Sequence, residues 1–295
     1  MLNNSFYLCV FILLSLPTQA NNSQWVEWIA AAQVSVTNID NLNISAFNND
    51  KVADNRLAIS TSFGRFYQIS STSRFHLALD LSTDKHRDTE LLDETAYGIN
   101  IGFRHKFGVG FKVPYMQIGL NSTSHDVKAD SWSRNISNAS FELGQHFSER
   151  LSLAAKLNYS SSNGSSGPIV IEDISGNPFD QNHWQATVYV DYMLEQNWLL
   201  TLNLGYRDGD ILSACDKNNV DIVWEKENIT AITKDDIFGG CVYSLKASAV
   251  MYGANISYAL SNHTALDLAI NAYSGQADVL DYKGKNLMLV FNYSY

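Results

Sequence analysis

Polarity alternates residue by residue along most of this chain, which restricts it to extended strands with one apolar and one polar face. From about Trp28 onward, runs of about ten residues set Phe75, Leu77, Leu79 and Leu81 on one face, then Tyr97, Ile99, Ile101 and Phe103. The pattern recurs at Leu151 to Tyr159, at Ala186, Val188, Val190 and Tyr192, at Leu200, Leu202, Leu204 and Tyr206, and at Leu266, Leu268 and Ile270. Between them stand His76, Asp80, Asn100, Arg104, Lys156, Asn158, Asp191, Asn203 and Asp267. Clusters of Asn, Asp, Ser and Gly bound each run, as turns require. A mean hydropathy of -0.14 does not oppose membrane residence. A barrel that turns alternate residues to lipid and to a polar lumen averages to such a value.

A soluble sandwich of two sheets would alternate in the same way, so the connections must separate the two architectures. Short ones fall near residues 70–73, 108–110, 147–149, 195–197 and 261–263. Between them lie longer polar stretches at 38–54, 84–93, 122–133, 160–181, 209–240 and 274–283. Short turns on one rim and long loops on the other predict an all-β fold: a single closed antiparallel transmembrane barrel of about twelve strands, with periplasmic turns and extracellular loops. Both termini then fall on the periplasmic side. Aromatic residues gather near the predicted strand ends, among them Trp132, Tyr159, Trp184, Trp198, Tyr206, Tyr258 and Tyr293, where amphipathic rings suit the two membrane interfaces.

Residues 1–20 read as a signal peptide: Phe6 to Leu16 is apolar and uncharged, and Thr18-Gln19-Ala20 supplies small residues for cleavage after Ala20. The run lacks a Lys or Arg before it, which leaves an uncleaved anchor as the lesser reading, but it is short for a spanning helix. Residues 21–295 form the barrel and carry the whole formal charge of -10, a poor balance for binding nucleic acid. Removal of Cys9 leaves Cys215 and Cys241, and in an oxidising compartment such a pair is expected to form a disulfide closing the longest extracellular loop.

The last strand sets Leu287, Leu289, Phe291, Tyr293 and the terminal Tyr295 on one face. This resembles the C-terminal signature of bacterial outer-membrane barrels, although Phe is the commoner final residue there. The resemblance implies that the strand is presented to the barrel-assembly machinery and that lipid surrounds the wall. A second likeness runs through Gly205-Tyr206-Arg207-Asp208-Gly209-Asp210, Asp235-Asp236-Ile237-Phe238-Gly239-Gly240 and Tyr258-Ala259-Leu260-Ser261. It is similar to a group of uncharacterised proteobacterial outer-membrane proteins and implies no function. The chain also resembles autotransporter translocator domains in size, yet strand pattern starts within about ten residues of the predicted cleavage site and leaves no passenger.

By alternation, the lumen-facing ionisable residues are Asp80, Arg104, Lys106, Glu142, Lys156, Asp191, Arg207 and Asp267, with His76 beside them. Their signs are mixed, so neither a basic ladder for acidic solutes nor an acidic ring for cations is evident. The expectation is a porin-like channel for small polar solutes. The alternative is a non-conducting surface barrel whose extracellular loops bind a partner or serve structure. Residues 208–240 hold eight acidic residues against three lysines, without the spacing of a calcium loop, and read as solvated charge. Neither a serine-hydrolase elbow nor a zinc motif occurs, so no cofactor, no metal and no enzymatic role are expected.

Overall fold

The computed structural model describes residues 23–165, 169–171, 174–216, 218–235 and 237–295. The predicted signal peptide, residues 1–20, lies outside the described residues, as do Lys217 and Asp236. Among the described residues fifteen strands occur: β1 (Gln24–Ile39), β2 (Asp54–Gln68), β3 (Ser73–His86), β4 (Glu94–Lys106), β5 (Tyr115–Val127), β6 (Arg134–His146), β7 (Leu151–Gly164), β8 (Ile169–Ile171), β9 (Ile174–Gly176), β10 (Gln181–Glu195), β11 (Trp198–Asp216), β12 (Ile229–Asp235), β13 (Gly240–Ala259), β14 (Thr264–Gln276) and β15 (Asp281–Ser294). A short helix, α1 (Val220–Lys226), precedes β12.

One thirteen-stranded sheet contains every strand except the β8–β9 hairpin. Twelve of its strands form a closed antiparallel ring, because β1 pairs with β15 and β11 pairs with β13, while β12 is added on β13 beyond the rim. Closure leaves no free edge in the ring, so every wall strand finds its backbone partners within it. The short turns are residues 69–72, 107–114, 147–150, 196–197 and 260–263. At the opposite rim stand L1 (40–53), L2 (87–93), L3 (128–133), L4 (165–180), L5 (217–239) and L6 (277–280).

Several strands run further than alternation indicates. β5 continues to Val127, β11 to Asp216 and β14 to Gln276, through stretches expected as loops, and L6 shrinks to four residues. The physical reason is that a strand which has left the membrane no longer separates lipid from lumen. Its polarity pattern dissolves while its ladder continues.

The outer wall is apolar. Leu153, Val188, Leu202 and Leu268 are 41%, 45%, 47% and 49% exposed, in a continuous belt of Leu, Ile, Val and aromatic side chains. No water-soluble monomer exposes such a surface, whereas lipid covers it without cost. Aromatic pairs border the belt on two levels. Trp198 and Tyr258 lie 4.7 Å apart at the short-turn end, and Trp184 and Tyr206 lie 5.5 Å apart toward the long loops.

Candidate functional site

Inside the ring, register brings polar side chains from neighbouring strands onto common levels. A cavity of about 440 Å³ is lined by the amides of Asn100, Gln117, Asn121, Asn138, Asn158 and Gln185, with Lys156 as its one charged side chain. His76 joins it, 3.1 Å from the Asn100 side-chain oxygen. A second cavity, of about 550 Å³, is lined by Gln33, Ser60, Ser62, Ser82 and Thr123 and has Asp80 as its one acidic or basic side chain apart from His125. Amides and hydroxyls both donate and accept, so these walls can replace water around an uncharged polar solute.

The remaining expected lumen residues are not gathered into one constellation. Tyr115 donates to Glu142 at 3.1 Å, and the Arg104 guanidinium rests 4.0 Å above the same Tyr115 ring. That ring lies flat over Gly144, where a Cβ would stand 2.4 Å from it. Asp191 accepts from Ser152 at 2.9 Å and Thr201 at 2.7 Å, joining three strands. Asp267 accepts from the Asn292 amide at 2.8 Å. Arg207 donates to the Asp210 carbonyl at 2.7 Å. Glu142 and Lys156 are register partners on β6 and β7, yet they form no ion pair within 4.0 Å.

The long-loop mouth is occupied by a folded cap. At Gly209 the chain takes φ 133°, and a Cβ there would lie 2.4 Å from the Asn182 carbonyl oxygen. Above this point β11 and β13 continue as a tall hairpin in which Cys215 and Cys241 are register partners joined by a disulfide. One side carries Ile211, Tyr243 and Leu245, packed with Val223 of α1, Ile229 and Ile232 of β12, and Tyr282. Phe47 of L1 and Leu280 of L6 close over this cluster. Another cluster forms around Ala214 and Val242, against Phe179 of L4 and Trp132 of L3. L3 and L6 leave the ring at diametrically opposite points, six strands apart, so a hairpin that meets both must lie across the mouth.

Polar anchors hold the cap. Ser213 donates to the Ile44 carbonyl at 2.9 Å and its hydroxyl is hydrogen-bonded to that of Tyr243 at 2.9 Å, and Trp132 donates its indole N–H to Asp235 at 3.0 Å. Glu227 accepts the backbone N–H groups of Asp278, Val279 and Leu280 at 3.1, 3.1 and 2.5 Å. The reading of 208–240 as solvated charge is therefore corrected for three residues: Asp221 and Glu225 are exposed, but Asp210, Glu227 and Asp235 are buried. Their partners come from β10, L6 and L3, and Lys246 reaches Asp210 at 2.8 Å.

A separate node fixes L2. Asp54 stands above Leu57, the last apolar outward residue of β2, and accepts from the Thr89 hydroxyl and from the N–H groups of Asn55, Asp88 and Thr89. Burial works to raise its carboxyl, but these hydrogen bonds outweigh it and hold the pKa at about 2, below the ordinary 3.8. A depressed folded pKa gives stability that is complete above the ordinary value and lost as pH falls through 2, on the order of 2 kcal/mol. Hydrogen-exchange protection at Asp88 and Thr89 is expected to decline between about pH 4 and pH 2. In Asp54→Asn protection should be low already at neutral pH and no longer depend on pH; an unchanged profile would contradict this role.

The sequence matches a family model described as outer membrane protein beta-barrel domain over residues 114–294. The chain belongs to that family. The apolar belt is thus the lipid face in the outer membrane, the short turns are periplasmic and the cap is extracellular. An outer membrane channel from Pseudomonas putida F1 is similar in structure, with TM-score 0.55 at 10% identity over 95% of this chain and 99% of that one. The KdgM porin in complex with disordered oligogalacturonate gives 0.46 at 11%, covering 90% and 99%, and the NanC porin gives 0.48 at 6%, covering 89% and 98%. No curated protein matches. Similarity at these identities speaks for the fold alone.

Local sequence pattern does not reveal every part of the outer-membrane barrel. The cap's helix and added strand are held by contacts distant in sequence, which leave no local pattern. Arg74, beside a periplasmic turn, was reachable by alternation: it precedes His76 by two residues and pairs with Arg104 across β3 and β4.

Proposed function

We propose that this barrel is a channel for small polar solutes, with the L5 hairpin narrowing its extracellular mouth. The observation that carries the reading is the pair of amide- and hydroxyl-lined cavities inside the wall, each with one charged side chain apart from histidine. A barrel filled for structure alone would close such space with paired charges and packed side chains. Weak selectivity follows, since no ring of like charges lines either cavity. The proposed lumen residues are Asp80, Arg104, Glu142, Lys156, Asp191, Arg207 and Asp267, and no catalytic role is assigned to any. The C-terminal strand is the segment proposed to meet the assembly machinery.

The second reading, a non-conducting barrel with a structured outer surface, is favoured by the cap's own apolar core. Planar-bilayer recording of the refolded protein separates the two. The channel reading expects small, weakly selective conductance, and Lys156→Glu should raise cation over anion permeability about severalfold, because a fixed charge acts strongly across a narrow lumen. Silence in a folded sample, and in one whose disulfide has been reduced, would favour the surface barrel.

A further inference from the structure

From the periplasmic end of the wall we infer a binding site for a small oxyanion, a phosphate or carboxylate group, between Arg74, Arg104 and Lys106. These three line one pocket of about 200 Å³ with Ser71 and Thr72 of the turn and Ser73 at the start of β3, and no carboxylate lines it. Arg74 and Arg104 are direct cross-strand partners, an arrangement of like charges that opposes strand pairing unless something neutral or negative lies between them. Each guanidinium is seated on an aromatic ring. Arg74 is held 4.5 Å above the Phe66 ring and Arg104 4.0 Å above Tyr115, whose hydroxyl is tied to Glu142.

Nor does either arginine find an anion within the protein. No ion pair to Arg74, Arg104 or Lys106 occurs among the described residues, and the Arg104 Nε is buried without a hydrogen-bond partner. Glu27 bears on Arg74 only through its field, outside ion-pair distance. A buried, unpaired N–H on a cation is costly, and an oxyanion placed between two guanidiniums satisfies both through paired N–H donors. Both arginines share the inward face of β3 and β4 with His76 and Asn100, so the ligand enters from the lumen. That makes the source a soluble anion at the periplasmic vestibule, not a phospholipid headgroup against the outer wall. The site does not depend on whether the barrel conducts.

Calorimetric titration of the detergent-solubilised full-length protein with inorganic phosphate tests this, with heat-dependent gel migration confirming that each variant is folded. Saturable binding of one phosphate is expected. Arg74→Gln and Arg104→Gln should each weaken it about tenfold or more, Arg104→Lys less, and Arg150→Gln, an exposed arginine in the 147–150 turn, not at all. Absence of saturable binding to the folded protein would overturn the site, as would equal weakening by Arg150→Gln. Retention of phosphatidylglycerol without phosphate binding would assign the arginines to lipid and equally refute it.

Discussion

Leu202→Arg is expected to destabilise the barrel by roughly 2 to 4 kcal/mol, the cost of a cation on the lipid face at the bilayer midplane. Leu202 is placed there by its own strand. The outward residues of β11 run Trp198, Leu200, Leu202, Leu204 and Tyr206, and each end of the series is in an aromatic pair. The eight steps from Trp198 to Tyr206 measure about 26 Å, which tilt reduces to roughly the height of the apolar band. Leu202 lies at the centre, between Val190 and Ala254 on the adjacent strands. An arginine at this depth reaches neither interface without bending the bilayer. The adjacent Asn203 faces the lumen between Tyr189 and Gly253, where water is accessible, so Asn203→Arg should cost much less. Denaturant unfolding in lipid vesicles measures both. Equal costs would mean that the faces of β11 have been assigned wrongly.

That assignment was legible because the membrane imposes it. Wherever a strand separates lipid from lumen, period two is written into the sequence, and Leu153, Val188, Leu202 and Leu268 could be placed outward from the pattern alone. Above the membrane the constraint ends. Residues 122–127 and 209–216 read as loop because Ser, Asp and Gly interrupt the alternation, yet both belong to strands whose ladders continue. The cap was illegible for a related reason. Val223, Ile229 and Ile232 acquire meaning only beside Tyr243, Tyr282 and Phe47, which approach from other loops. Glu227 looked solvated because the three N–H groups that it accepts lie about fifty residues away. The lumen charges were individually visible but their company was not. Arg104 became informative only when register set Arg74 opposite it.

Loss of the Cys215–Cys241 disulfide is expected to loosen the cap and leave the barrel intact. The cysteines are 26 residues apart and enclose L5 with α1 and β12. Cross-linking a loop of about that length removes chain entropy from the opened state worth roughly 3 to 4 kcal/mol. The two residues are also ladder partners, so reduction leaves them adjacent in the closed cap and the whole effect falls on how often the cap opens. Hydrogen-exchange protection of β12, and resistance of L5 to protease, should therefore drop by roughly several hundredfold in a Cys215→Ser, Cys241→Ser variant. Protection of β2 to β7 should hardly change, because those strands lie in the closed ring and Phe47, Trp132 and Phe179 meet the cap only through their loops. If the channel reading is correct, the same variant should conduct more, since the hairpin that crosses the mouth loses its tether. Two free, alkylatable thiols in the purified protein would refute the bond. Simultaneous loss of protection in the cap and the wall would refute the independence of the two, and would make the disulfide part of what holds the barrel itself.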